Sequence, residues 1–134
     1  MDKNRYLIEL SKSGRTEFGR FDFTMQGHEQ RVFSAIWALE SQVNNGGFIK
    51  YFDCEDSEVV GFAPAALRAI GALACADIVT QAAALAPNRR LPDVIDKLAN
   101  LDEEFYSYPD NLTDLLYAYV VSHPTIFGHA LSQA

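Results

Sequence analysis

The sequence predicts an all-α fold, a compact single-domain bundle of about six or seven helices. Three observations carry that prediction. Val32, Ile36, Leu39 and Val43 recur at i, i+4, i+7 and i+11, with Phe33 and Trp37 widening the stripe, which is the period of one buried helix face. Further stretches with helical spacing are cut by Gly, Pro and Asn, leaving the short connections of a tight bundle. Hydrophobic residues make up 49% of 134 residues, enough for one core and too many for a disordered chain.

The elements follow in order. Asp2 to Ser13 reads as a short helix, with Asp2 as N-cap and Gly14 just past the end. The same region also admits a hairpin, with strands at residues 5–10 and 17–23; helix then loop is preferred. Residues 1–27 are taken as an N-terminal extension and 28–134 as the helical domain proper. From about Gly27 a central helix runs to Asn44-Asn45-Gly46-Gly47. Two adjacent glycines give the positive φ that helix ends commonly need, and Asn tolerates it next best, so a sharp corner is expected there. Phe48, Tyr51 and Phe52 then make a short aromatic helix that folds back. Asp53 to Glu58 reads as an acidic loop holding N-cap candidates.

Pro64 is expected in the first turn of the next helix. Its Ala66, Leu67, Ala69, Ile70, Leu73 and Ala74 suit close packing, and Gly71 is read as a kink or tight contact rather than a break. Ala-rich helix continues or restarts from Asp77 to Leu85 and stops at Ala86-Pro87-Asn88. Pro92-Asp93 opens a helix with Val94, Ile95, Leu98, Leu101 and Phe105 inward, ended by Pro109. Leu112, Leu115, Leu116, Tyr119 and Val120 mark another, begun near Asn111 or Thr113 and ended by His123-Pro124. Thr125 to Ala134 has enough apolar residues for one short docked helix.

The formal net charge is −7, and it is unevenly spread. Residues 32–134 carry thirteen acidic and five basic groups, and no Lys or Arg follows Lys97. Direct nucleic-acid binding needs a basic footprint and is disfavoured. A basic protein partner fits better, although acidity also serves solubility. No apolar run reaches the roughly 18 residues of a membrane helix, and no signal-type segment follows the N-terminus, so the expectation is a cytoplasmic protein with no membrane contact. Cys54 and Cys75 are expected as free thiols, Cys75 in the core and Cys54 disfavoured as a thiolate by Asp53 and Glu55. No P-loop, dinucleotide fingerprint, zinc-protease motif, CxxC pair or nucleophile elbow occurs. Neither the acidic loop nor His28, His123 and His129 has metal-ligand spacing, so no metal or cofactor is expected. The histidines read as helix-end residues near terminal carbonyls.

Around the corner, Glu40 is expected to face Lys50 or a free N–H of the next helix, and Asn44 and Asn45 to satisfy backbone groups of the junction. Tyr51, Tyr106, Tyr108, Tyr117 and Tyr119 supply rings with polar tips, suited to a binding surface or a core edge.

The run Leu39-Glu40-Ser41-Gln42-Val43-Asn44-Asn45-Gly46-Gly47-Phe48-Ile49-Lys50-Tyr51-Phe52 resembles the signature of the bacterial DNA-mimic-protein family, LE-x-EVNNGGF-x-Q-[YF]F. Residues 66–72, 78–83 and 98–106 resemble its AL-x-x-IGA, I-x-x-A and L-x-x-LD-x-x-FY blocks in the same order. Gln42 stands where the signature has an acidic residue, Lys50 where it has Gln, and Cys54-Glu55-Asp56 replaces a small polar loop. The resemblance implies an all-α fold and, for at least part of the family, binding to DNA-binding proteins through carboxylates set where phosphates would sit. Candidate partner-binding carboxylates are Asp53, Glu55, Asp56, Glu58, Asp93, Asp96, Asp102, Glu103, Glu104, Asp110 and Asp114. Glu40, Asn44, Asn45, Gly46, Gly47 and Phe48 are expected to be structural. Asp102 and Glu103 are expected to be exchangeable for their amides at little cost to the fold.

Three functional readings follow. The first is a non-enzymatic acidic module, acting as a DNA mimic on the nucleic-acid site of a basic regulator. The second is an immunity-type protein that neutralises a basic toxin. The third is a small-ligand binder or enzyme built on Glu40, Asn44, Asn45 and Tyr51. The oligomeric state is open, a homodimer included.

Overall fold

A computed structural model describes residues 2–13, 16 and 21–128. Among the described residues there are seven α-helices and no strand: α1 (Lys3–Lys12), α2 (His28–Cys54), α3 (Ser57–Ala69), α4 (Leu73–Leu85), α5 (Pro92–Tyr106), α6 (Leu112–Val121) and α7 (Pro124–Phe127). The hairpin alternative for the N-terminus is excluded at residues 5–10, where Asp2 caps α1 by accepting from the Arg5 N–H. His129 and the end of the tail lie outside the described residues.

The predicted stripe is the centre of the core. Val32, Phe33, Ile36, Leu39 and Val43 are all fully buried, and Trp37, half-buried, stacks on Phe33 with centroids 5.4 Å apart. Against this helix pack α3 and α5, and α4 closes the layer between them. α1 joins the same core through Tyr6, Leu7 and Leu10 and lies along α6, with Tyr6 edge-on to Tyr117. α7 contributes Phe127, fully buried against Phe33.

The corner falls at the paired glycines. Gly46 is extended (φ −171°), and Gly47 has φ 77° and ψ −178°, inside an otherwise continuous α2. That region of backbone space is essentially open to glycine alone. The corner divides α2 into a long first arm and a short aromatic arm. The rings of the short arm interlock: Phe48 lies 5.8 Å from Phe105, 6.0 Å from Phe52 and 6.5 Å from Tyr51.

Four local expectations are corrected. The acidic loop shrinks to Glu55-Asp56, because Asp53 and Cys54 complete α2 while Ser57 and Glu58 begin α3. Pro64 therefore sits inside α3 rather than in its first turn. Its missing N–H and ring cost helix energy, which burial of Val59, Ala63, Ala66 and Leu67 on one face offsets. Gly71 breaks the helix: at φ 85° it lets Ala72 N–H reach the Leu67 carbonyl and its own N–H reach Arg68. That bond pair is a Schellman motif, the usual left-handed helix stop. Ile95 is exposed, since α5 turns only Val94, Leu98, Leu101 and Phe105 inward.

Gly47 and Gly61 should respond oppositely to alanine. A Cβ at Gly47 would lie 2.5 Å from Asp102 Oδ2 on a glycine-only backbone, so Gly47→Ala is expected to cost about 2–4 kcal/mol in urea unfolding. A Cβ at Gly61, inside α3, meets nothing within 4 Å, so Gly61→Ala should gain about 0.5–1 kcal/mol. Equal effects at both sites would refute this account of the corner.

Candidate functional site

An interrupted helix leaves N–H groups without acceptors and carbonyls without donors. Here α5 supplies both kinds of partner. Phe48 N–H donates to Asp102 Oδ1 at 2.8 Å. One turn on, the Tyr106 hydroxyl donates to the Val43 carbonyl at 2.7 Å. The expected partners do not do this work. Asn44 donates its amide to the Tyr108 hydroxyl at 2.9 Å, Asn45 is exposed, and Glu40 accepts from Tyr108 at 3.4 Å. The reason is direction: Glu40 and Asn44 lie on the first arm one turn apart, facing the loop after α5, whereas the orphan N–H points at α5 itself.

Asp102 is thus an N-cap supplied from another helix, a role that its amide could keep through one carbonyl oxygen and that an apolar side chain could not. Burial raises its pKa, the Phe48 N–H opposes that, and the Glu103 charge adds to it. Asp110 acts in the same way. It accepts from Cys75 N–H at 2.8 Å, in the first turn of α4, whose N-cap residue Ala72 offers no side-chain cap. Burial pushes the Cys75 thiol up to about 11, with Asp110 a lesser influence, so this cysteine is inert at neutral pH.

The other candidate carboxylates divide clearly. Asp53 pairs with Arg89 at 2.8 Å and with Arg90, which together hold its pKa below the usual range, Arg89 foremost. Asp114 pairs with Lys3 at 3.2 Å and accepts from Asn111 at 3.0 Å. Glu55 accepts from Gln42 at 3.1 Å, so two departures from the signature meet each other. Asp56, Glu58, Asp93, Asp96, Glu103 and Glu104 are exposed and enter no ion pair among the described residues. Of these, Asp93, Asp96, Glu103 and Glu104 share the outer side of α5 by the 100° step of a helix, Asp96 and Glu103 opposite its buried stripe and Asp93 and Glu104 on the flank. Lys97 lies on that face as well.

The antiparallel course of α2 and α5 links these groups. Glu40 and Asn44 meet Tyr108, Phe48 meets Asp102, and Asp53 meets Arg89 and Arg90. The acidic turn between α2 and α3 therefore lies near the start of the α5 face.

A separate pocket of about 180 Å³ opens between α1, α2 and α6. Leu7 and Trp37 give it apolar walls, and Asn4, Glu40, Ser41, Asn44 and Thr113 line it with polar groups. Asn45 and Tyr51, grouped with Glu40 by sequence, are not part of it. The Tyr51 hydroxyl is buried with no partner among the described residues. Burial raises the Glu40 carboxyl, the Tyr108 hydrogen bond opposing. Of the histidines, His123 ends α6 with Nδ1 2.8 Å from the Tyr119 carbonyl, as read, while His28 opens α2 edge-on to Phe62. Among the described residues no cluster of His, Cys, Asp or Glu is placed to hold a metal, and no helix is long and apolar enough to cross a membrane.

The described residues thus form a helical domain whose glycine corner is capped by an aspartate from a later helix, with carboxylates exposed on that helix's outer side. The chain belongs to the DMP19-like protein family, whose pattern it matches over residues 26–123. No curated protein and no solved structure was found to match it. The match takes in the corner, α5 and Tyr108, and leaves out α1.

Asp102→Ala should leave the fully buried Phe48 N–H without a partner and cost about 1–3 kcal/mol, whereas Glu103→Gln should stay within about 0.5 kcal/mol; matching values in urea unfolding would deny Asp102 its capping role. Glu40 carries a pH signature. A carboxyl raised on folding adds stability in full below its unfolded pKa of about 4.3 and loses it as pH rises through the folded value. Glu40→Gln should therefore gain on the wild type as pH increases across that window, and parallel stability curves would contradict it.

Proposed function

We propose that this chain is a non-enzymatic acidic module that acts as a DNA mimic, occupying the nucleic-acid site of a basic DNA-binding protein. Membership of the DMP19-like family supports the reading. The observation that carries it is the outer face of α5, where Asp93, Asp96, Glu103 and Glu104 stand exposed and unpaired among the described residues. They are held on a rigid helix, so binding a partner would order little that is not already ordered.

Magnitude refines the claim. At about 1.5 Å per residue, Asp93 to Glu104 spans roughly 16 Å, or about one carboxylate per 5 Å of axis. A duplex carries one charge per ~1.7 Å and a single strand one per ~3.4 Å. The face is thus sparser than either, nearer in mean density to one strand than to a duplex, with a gap of roughly 10 Å between Asp96 and Glu103 that holds Lys97. Asp56 and Glu58, exposed at the start of α3, extend the acidity toward the α5 N-terminus. Asp53 engages both Arg89 and Arg90 and offsets one of their two charges, so the pair weakens the field only at the start of α5. A basic groove shaped for a phosphate backbone is the complementary surface, and steering by such a field weakens as salt rises.

The test is capture from source lysate with two controls, competition by duplex DNA and a chain carrying Asp93→Asn, Asp96→Asn, Glu103→Gln and Glu104→Gln. The expected result is a DNA-binding protein released by salt, displaced by DNA, and not retained by the variant, whose helical circular dichroism is unchanged. A partner indifferent to DNA and resistant to salt would replace mimicry with toxin neutralisation. Capture unaltered by the four substitutions would remove α5 from the interface.

A further inference from the structure

We propose that the pocket between α1, α2 and α6 is a guanidinium site, which takes an arginine side chain against Trp37 and pairs it with Glu40. The site does not depend on the outer face of α5, and its test fails or succeeds separately.

Glu40 carries an uncompensated charge. Glu40 is half-buried, yet no Lys, Arg or His among the described residues lies within ion-pair distance. Among the described residues its one hydrogen bond is the long one from Tyr108 to Oε2 at 3.4 Å, and none donates to Oε1. A carboxylate drawn partly out of water without a cation is costly, and a cationic ligand relieves that cost.

The lining chooses the sign of the ligand. Among the described residues no basic side chain lines the pocket, so an anion finds no counter-charge from them. Asn44 gives one amide N–H to Tyr108 and keeps its carbonyl oxygen as an acceptor, and Asn4, Ser41 and Thr113 add further oxygens able to accept. Oxygen acceptors therefore stand beside the carboxylate, with no positive charge among them.

Size and shape choose among cations. A pocket of about 180 Å³ falls below the roughly 300 Å³ at which drug-sized ligand sites begin and suits one long side chain. Phe33 stacks on Trp37 with only 11° between the rings and so holds the indole as a fixed wall. A guanidinium is planar, weakly hydrated and able to stack on an indole, and its five donors in a fork match a carboxylate and adjoining oxygens. An ammonium has three donors and a tighter hydration shell, so it gains less here.

Trp37 is the single tryptophan of the chain, which makes its emission a private reporter of the pocket. The full chain is titrated with acetyl-arginine amide, and acetyl-lysine amide serves as comparator. A saturable change with a Kd in the millimolar range is expected for the arginine compound, with at least about fivefold weaker binding of the lysine compound. Glu40→Gln should abolish the response. Asn44→Lys, at an exposed position one turn beyond Glu40, supplies an internal ammonium and should abolish it too, so the result survives if the first variant folds poorly. The four-substitution α5 chain should respond as the wild type does. A linear, unsaturable change, equal affinity for both compounds, or an unaltered response in a folded Glu40→Gln chain would overturn the proposal.

Discussion

The hydrogen bond from Phe48 N–H to Asp102 is the constraint on which the rest of the structure turns. Gly47 makes the corner geometrically possible, but conformational freedom alone fixes nothing. The corner becomes unique because Asp102 takes the orphan N–H and Tyr106 the orphan carbonyl, both from one face of α5. Closeness is part of the design: the carboxylate stands where a Gly47 side chain would be. With that bond in place the aromatic arm is aimed into the core, where Phe48 packs on Phe105.

The acidity of the chain divides into two populations with different physics. Asp102 and Asp110 face inward and cap helices that lack a cap of their own, and Asp53 and Asp114 are matched with the nearest basic groups. The carboxylates of Asp93, Asp96, Glu103 and Glu104 on α5, with Asp56 and Glu58, enter no ion pair among the described residues. A net charge of −7 therefore understates how one-sided the free acidity is, since much of the basic complement is paired inside the molecule or lies elsewhere.

The fold was largely legible because its signals were local. The stripe from Val32 to Val43, the Asp2 cap and the Asn111 start of α6 all appear as read. Misreadings arose where tertiary packing overrode a local rule. Pro64 was read as a helix start, yet the helix begins at Ser57 because its apolar face is worth burying. Gly71 looked like a kink in small-residue helix, and only the six-to-one bond to Leu67 distinguishes a stop. At the corner, the glycines and the need for polar partners were legible, and the partners were not. Asp102 and Tyr106 are 54 and 63 positions from the groups they satisfy, so no local pattern joins them. A signal did exist: their four-residue spacing within the LD-x-x-FY block puts both on one helix face. The pocket at Glu40 was half legible, since Asn44 belongs to it while Asn45 and Tyr51 do not.

That same separation in sequence orders events in time. Contacts among α2, α3 and α4 join neighbours along the chain and close small loops, whereas the corner waits on a residue of α5. Until Asp102 has left the ribosome and docked, the two arms of α2 share a hinge with nothing to set its angle, and the ring cluster around Phe48 has no Phe105 to close on. The corner is a late seal on the folding of this domain, and a chain halted before α5 would hold a helical hairpin with its aromatic arm unplaced.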